Sequence, residues 1–159
     1  MGHKIRQILL EGQSVDPKAE LFLFLADRAQ HVAEVIRPAL TMGSLVICDR
    51  YVDSTLAYQG YARGMDLEQL RAWNDFATGG LTPDLTLLLD IEPASGLSRI
   101  RSKDRLDSEP EAFHQKVRQG FLHESERDPR RWVVLDASQE INDVTQSAYL
   151  AVARKREQL

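Results

Sequence analysis

The 159-residue sequence predicts an α/β domain, a largely parallel sheet with helices on both faces. Its strand candidates are continuous apolar runs rather than alternating ones, as strands buried on both sides require. They alternate with segments of helical periodicity, and charged residues gather where the runs end.

The expected strands are 44–48 (Ser-Leu-Val-Ile-Cys), 84–91 (Asp-Leu-Thr-Leu-Leu-Leu-Asp-Ile) and 131–136 (Arg-Trp-Val-Val-Leu-Asp). Asp49, Asp90 and Asp136 then fall along the carboxyl edge of the sheet, where open α/β sheets bind ligands. Cys48, the only cysteine, reads as a packing residue of the first strand. A single cysteine also excludes an intramolecular disulfide and a multi-cysteine zinc site.

Asp16-Pro17 supplies an N-cap and a first-turn proline for a helix running to about residue 37, which Pro38 and Gly43 are expected to end. Glu20, Phe24 and Arg28 are spaced i, i+4, i+8, so they share one face of that helix. An aromatic platform beside a guanidinium fits this face, and so does a core phenylalanine with a structural ion pair. Asp66 with Gln69 predicts the start of a helix that continues to about Ala77 and stops at Thr78-Gly79-Gly80. Ser108 with Glu111 reads as a capping box, followed by an ordinary core stripe at Phe113, Val117 and Phe121. The last helix, about 141–156, is amphipathic and ends in basic residues that suit its macrodipole.

Composition narrows the function classes. With 43% hydrophobic and 28% charged residues, the chain can bury a core, and no repeat or linker interrupts it, so one domain over 1–159 is expected. Its 20 basic and 24 acidic residues give a net charge of −4, which argues against a nucleic acid polymer as partner while leaving room for a local anion pocket. No apolar stretch reaches the roughly 20 residues of a membrane span, so no membrane partner is expected. The start, Met-Gly-His-Lys-Ile-Arg, carries no apolar signal core, and the expected location is cytoplasmic.

The most informative stretch is 48–64, Cys-Asp-Arg-Tyr-Val-Asp-Ser-Thr-Leu-Ala-Tyr-Gln-Gly-Tyr-Ala-Arg-Gly. An acid and a guanidinium side by side at the end of a buried strand suit phosphate and metal chemistry. A second cationic run, 98–105 (Ser-Arg-Ile-Arg-Ser-Lys-Asp-Arg), fits either a solvated surface or a lid closing over phosphates.

Asp49-Arg50-Tyr51, Ser54-Thr55, Ala57-Tyr58-Gln59-Gly60 and Arg63-Gly64 together resemble the thymidylate kinase family. The resemblance continues through Lys18-Ala19-Glu20-Leu21 to Arg28, through Pro83-Asp84-Leu85-Thr86 to Asp90, and through Asp104-Arg105-Leu106-Asp107 to Leu135-Asp136-Ala137. It covers nearly the whole chain, in the family's order. It implies the parallel sheet of the phosphate-loop nucleoside monophosphate kinases, and ATP-dependent phosphorylation of dTMP to dTDP with Mg2+. ATP is then the co-substrate, and a homodimer is the implied assembly.

By the same resemblance, Phe24 stacks on thymine and Arg28 bonds a thymine carbonyl. Arg50 holds the dTMP phosphate, and Asp49 supports Mg2+, directly or through water, or organises the arginines. Thr55 and Gln59 are candidates for base contacts, and Tyr58 packs under the sugar. Arg99, Arg101 and Arg105 are lid candidates, with Arg101 and Arg105 at the transferring phosphoryl group, where positive charge lowers the barrier. Arg6 is a further candidate for the substrate phosphate, or else a helix-surface residue.

One departure from the family stands out. The signature Gly-x-x-x-x-Gly-Lys-Ser/Thr does not occur in the 159 residues, and neither does any Gly-Lys pair. The resemblance therefore implies that an N-terminal strand-loop-helix unit precedes the segment matched here, and the chain reads as N-terminally truncated. In the family's sheet that first strand lies between those corresponding to 44–48 and 84–91. Without it, the two strands are expected to close up, to accept another chain, or to fold poorly, with little kinase activity. Three readings stay open: a thymidylate kinase read from a late start, a non-catalytic dTMP-binding remnant, and a related kinase of different nucleoside specificity.

Overall fold

The computed structural model describes residues 2–11 and 15–158, so residues 1, 12–14 and 159 of the expected 1–159 domain lie outside the described residues. Helix α1 starts as Gly2–Arg6 and ends in a π-helical turn, Gln7–Glu11. Helix α2 runs Pro17–His31, passes through a π-helical turn at Val32–Ile36 and continues as Arg37–Thr41. Helix α3 comprises Val52–Thr55 and the wider-wound Leu56–Ala62; α4 is Leu67–Thr78. Strand β1 is Thr86–Asp90, followed by the short α5 at Pro93–Ser98 and the long α6 at Glu111–Arg127. Strand β2 is Trp132–Asp136, and α7 is Ile141–Arg156.

Several expected helix ends hold for their stated reasons. The Asp16 carboxylate accepts the Lys18 and Ala19 amides at 2.9 and 3.4 Å. Asp66 accepts the Gln69 amide at 2.7 Å, and Gly79 closes α4 in the left-handed region at φ +59°.

Two ends differ. Helix α2 does not stop before Pro38, because the π-helical turn at Val32–Ile36 resets the hydrogen-bond register and places the proline in the first turn of the final segment, where its missing N–H costs nothing. Ser108 does not cap α6 either. Pro110 precedes that helix, and the Ser108 hydroxyl donates to the Asp104 carbonyl at 2.7 Å.

The core is mainly helical. Leu21 and Leu25 of α2 pack with Leu56 of α3 and Leu70 of α4, flanked by Met65, Leu67 and Trp73. A second cluster joins Ala57 of α3 to Phe113 and Val117 of α6, with Tyr58 and Phe121 at its margin. At the α3–α6 crossing Gly120 lets the helices touch: a Cβ there would lie 2.8 Å from the Tyr61 ring and 2.9 Å from its Cβ.

Strands β1 and β2 pair in parallel, with Thr86 opposite Trp132 and Asp90 opposite Asp136. The crossover through α5 and α6 is the long connection that parallel neighbours require. The expected strand at 44–48 is not formed. Among the described residues nothing pairs with it or with the second edge of β1, and an extended chain without a ladder partner is not a strand. Leu45 and Ile47 stand 65% and 90% exposed, and both line a groove of about 730 Å³ together with Leu87 and Leu89 of β1 and with Ile36 and Leu40 of α2. The two segments have therefore not closed up. Cys48 is correspondingly exposed rather than packed, its thiol 3.3 Å from the Arg50 carbonyl.

Replacing Gly120 by alanine forces the root of the Tyr61 side chain to move. Overpacking of this kind costs about 1–3 kcal/mol. Urea unfolding of the Gly120→Ala variant is expected to show a lower midpoint with an unchanged slope; an unaltered midpoint would contradict the tight crossing.

Candidate nucleotide-binding site

The site is assembled by α2, α3 and α4, with the bend at 49–51 leading into α3. Arg28 is its best-anchored member. Its Nη1 donates to Thr55 Oγ1 at 2.8 Å and to Asn74 Oδ1 at 2.5 Å, and its Nη2 donates to the Tyr51 carbonyl at 3.1 Å. These three bonds use three of the five guanidinium N–H groups, so the Nε–H and one Nη2–H remain for another acceptor. Burial pulls the Arg28 pKa below the usual guanidinium range. Phe24, one turn earlier on the same face, is half-buried.

Arg50 adopts φ +67°, the only non-glycine with positive φ among the described residues. A left-handed backbone costs a residue with a Cβ about 1–2 kcal/mol, so the surroundings must impose it. Its guanidinium carbon lies 5.3 Å from the Tyr58 ring centroid, within cation–π range. Tyr58 is itself held edge-on by Phe113 and Phe121, at centroid distances of 6.0 and 6.3 Å. Asp49 is exposed beside Arg50.

Thr55 and Gln59 are both buried on α3, and each is engaged within the protein. Thr55 accepts from Arg28, while the Gln59 amide donates to Glu20 at 2.9 Å. Glu20 also accepts from Arg63 Nε at 3.0 Å and from Arg105. Burial pushes the Glu20 carboxyl pKa up, but the bonds from Arg105, Gln59 and Arg63 outweigh it and leave it below the usual value.

Of the arginines expected in the lid and at the phosphate, Arg105 alone reaches this point. Arg105 donates to the Leu9 carbonyl at 2.8 Å as well as to Glu20. Arg99 donates to the Ala137 carbonyl at 3.1 Å, Arg101 is exposed on the 99–105 loop, and Arg6 is exposed on α1. Asp90 and Asp136, in register at the carboxyl edge, are engaged differently: Asp90 pairs with Arg118 through both oxygens, at 2.7 and 2.9 Å, while Asp136 caps the Ser138 turn.

Asn74 escaped the sequence reading. It occupies the buried stripe Leu70–Asn74–Thr78 of α4, and an amide at a core position of an amphipathic helix was the signal available. Asp53 was also missed. It is buried and binds Arg131 bidentately at 2.8 and 2.9 Å, tying α3 to the base of β2, while Arg131 donates to Thr86 of β1 at 2.7 Å.

The sequence profile of the thymidylate kinase family matches residues 1–148. The chain belongs to the thymidylate kinase family. It is 50% identical over 171 aligned residues to the thymidylate kinase of Desulfovibrio desulfuricans, covering 98% of this chain and 79% of that protein. It is 52% identical over 137 residues to the thymidylate kinase of Synechococcus sp. strain JA-2-3B'a(2-13), covering 86% of this chain and 66% of that one. The crystal structure of thymidylate kinase from Ehrlichia chaffeensis superposes with a TM-score of 0.77 at 30% identity, over 95% of this chain and 72% of that one. The thymidylate kinase family is one of phosphotransferases, and the α/β class with a parallel sheet is that of this neighbour.

The lowered Glu20 pKa has a pH consequence. Its stabilisation is fully present above the unfolded-chain carboxyl value of about 4.3 and is lost as pH falls through the lower folded value. Urea unfolding between pH 7 and pH 3 is therefore expected to show a steeper acid loss for the wild-type chain than for Glu20→Gln. Parallel profiles would contradict the charge assignment.

Proposed function

We propose that this chain carries the dTMP-binding, acceptor side of ATP-dependent phosphoryl transfer, dTMP + ATP → dTDP + ADP. The observation that carries the reading is Arg28, held by Thr55, Asn74 and Tyr51 with two N–H donors to spare, one turn from the half-buried ring of Phe24. A ring that stacks and a fixed guanidinium that donates are what a planar pyrimidine with carbonyl acceptors needs. Tyr58, immobilised between Phe113 and Phe121, supplies the wall under the sugar, and Arg50 above it supplies positive charge for the acceptor phosphate. Thr55 and Gln59 act from beneath, fixing Arg28 and the Glu20 carboxylate.

Asp49 fits Mg2+ in a limited sense. Mg2+ takes one or two carboxylates and draws its other oxygens from water and phosphates, and among the described residues no group of three or more metal-binding side chains is present. When bound, the ion would neutralise phosphate charge, with Asp49 as its protein contact. Arg101, exposed on the loop between α5 and α6, is the lid cation assigned to ATP, with Arg99 and Arg6 as secondary candidates; its support is that it has no ion pair among the described residues. No phosphate-loop signature lies within the 159 residues, so turnover by this polypeptide is expected to be weak while dTMP binding persists. The proposal includes one cytoplasmic domain. No helix of the described residues is long and apolar enough to cross a membrane.

Titration calorimetry tests the acceptor site. Arg28→Lys keeps the charge but loses the fork, and is expected to weaken dTMP and thymidine alike by tenfold or more, consistent with about 1.5–3 kcal/mol for a charged hydrogen bond. Arg50→Ala, which leaves the backbone strain in place, is expected to weaken dTMP but not thymidine. Absence of dTMP binding by the wild-type chain would remove the reading. A coupled ADP-release assay then separates a binding protein from a kinase, and family-like turnover would overturn the expectation of weak activity.

A homodimer belongs to the same proposal. Its support is Phe22, 55% exposed on α2 and 5.6 Å from the Trp73 ring of α4, with Phe76 91% exposed on α4. Light scattering is expected to give twice the 18.0 kDa chain mass, reduced to one chain mass by Phe22→Glu. A monomeric wild-type chain would exclude it.

A further inference from the structure

Glu20 is a carboxylate with no exposure to solvent, and nothing in the proposed chemistry uses it directly. A buried charge must be neutralised by the protein around it. Glu20 is satisfied by three side chains from two segments. From α3 comes the Gln59 amide at 2.9 Å; from the end of α3 comes Arg63, with Nε at 3.0 Å and Nη2 at 3.4 Å; from the cationic loop comes Arg105.

Each partner is further constrained. Arg63 bonds Glu109 at 3.0 Å and lies 5.1 Å from the Phe113 ring, while Arg105 bonds the Leu9 carbonyl at 2.8 Å. The stem that carries Arg105 is closed by reciprocal Asp104 and Asp107 bonds at 3.1 and 2.9 Å. At the other end of the loop, Arg99 is tied to Ala137. The loop is therefore pinned at both ends, and Arg101 and Lys103 between the pins are exposed, without an ion pair among the described residues.

We infer that Glu20 is a positioning residue: through Arg105 it seats the stem of the 99–105 cationic loop on the base-binding helix, so that a ligand held against Phe24 and Arg28 tightens the loop. This rests on the dTMP reading above. Glu20 lies one turn before Phe24 and two before Arg28 on the same helical face, so a ligand that braces α2 braces the anchor as well. Arg105 thereby acts through Glu20 to set where Arg101 and Lys103 stand, rather than meeting phosphate itself.

Hydrogen exchange over residues 99–108 of the full chain, with and without dTMP, tests the coupling, alongside calorimetry of dTMP. In the wild-type chain dTMP is expected to slow exchange there by at least threefold. In Arg105→Gln, which leaves Glu20 paired with Arg63 and Gln59, basal exchange is expected to rise about tenfold and dTMP to slow it no further, while dTMP affinity changes less than threefold. Glu20→Gln is expected to behave likewise, and Arg105→Lys to recover part of the protection. If the wild-type chain does not bind dTMP, the functional reading fails and the inference falls with it. If dTMP binds but leaves exchange at 99–108 unchanged, or slows it equally in Arg105→Gln, the inference alone is overturned. Should Glu20→Gln fail to fold, Arg105→Gln decides the matter, because its cut leaves the buried carboxylate neutralised.

Discussion

A carboxylate removed from water must find its counter-charge and hydrogen-bond donors inside the protein, and Glu20 finds them on segments far apart in the chain. Gln59 lies 39 residues away, Arg63 lies 43, and Arg105 lies 85. Meeting that one requirement brings α2, α3 and the loop before α6 to a common point. The apolar contacts around it, Leu21 and Leu25 against Leu56 and Leu70, supply area without direction. Direction comes from the charged bonds. Arg28, two turns further along α2, is held differently: a half-buried cation bonded by neutral acceptors alone, Thr55, Asn74 and a backbone carbonyl, with two N–H groups left over.

The opposite half of the molecule shows what an unmet requirement looks like. Strand β1 is paired along one edge only among the described residues, and the apolar run 44–48 lies across a groove from it with Ile47 90% exposed. The α2–α3–α4 cluster does not depend on that edge. Two charged links connect the halves: Asp53 with Arg131, gripping α3, the base of β2 and Thr86 at once, and Arg118 of α6 on Asp90 of β1. The groove is not confined to the sheet side: Asp49, Arg50 and Tyr58 line it together with Leu45, Ile47 and the residues of β1, while Arg28 and Glu20 are held within the helical cluster.

Much of the fold was legible from local chemistry. Asp16-Pro17, Asp66 with Gln69, and Gly79 act within four residues of themselves, so the sequence places the starts of α2 and α4 and the end of α4 without knowledge of anything distant. The continuous apolar runs located β1 and β2 to within two residues. The shared face of Glu20, Phe24 and Arg28 was visible as a spacing. Where the reading failed, a neighbour decided. The run 44–48 has the composition of a strand, but a strand exists only with a partner. Ser108 has the composition of a cap, but Pro110 starts the helix two residues later and frees the hydroxyl for Asp104.

The sequence by itself determined the family, the alternating α/β order, the helix starts set by nearby caps, and the residue types gathered on one face of α2 and along 48–64. These depend on spacing and on groups that interact within a turn or two. Only the tertiary structure decided what each charge faces. Arg28 is braced by Thr55 and Asn74, Arg105 is drawn to Glu20 with Arg101 left in solvent, and Arg50 is held in a left-handed backbone over Tyr58. Each outcome depends on the approach of segments tens of residues apart. Electrostatic energy depends on distance and burial, and neither is encoded at the position of the charge itself.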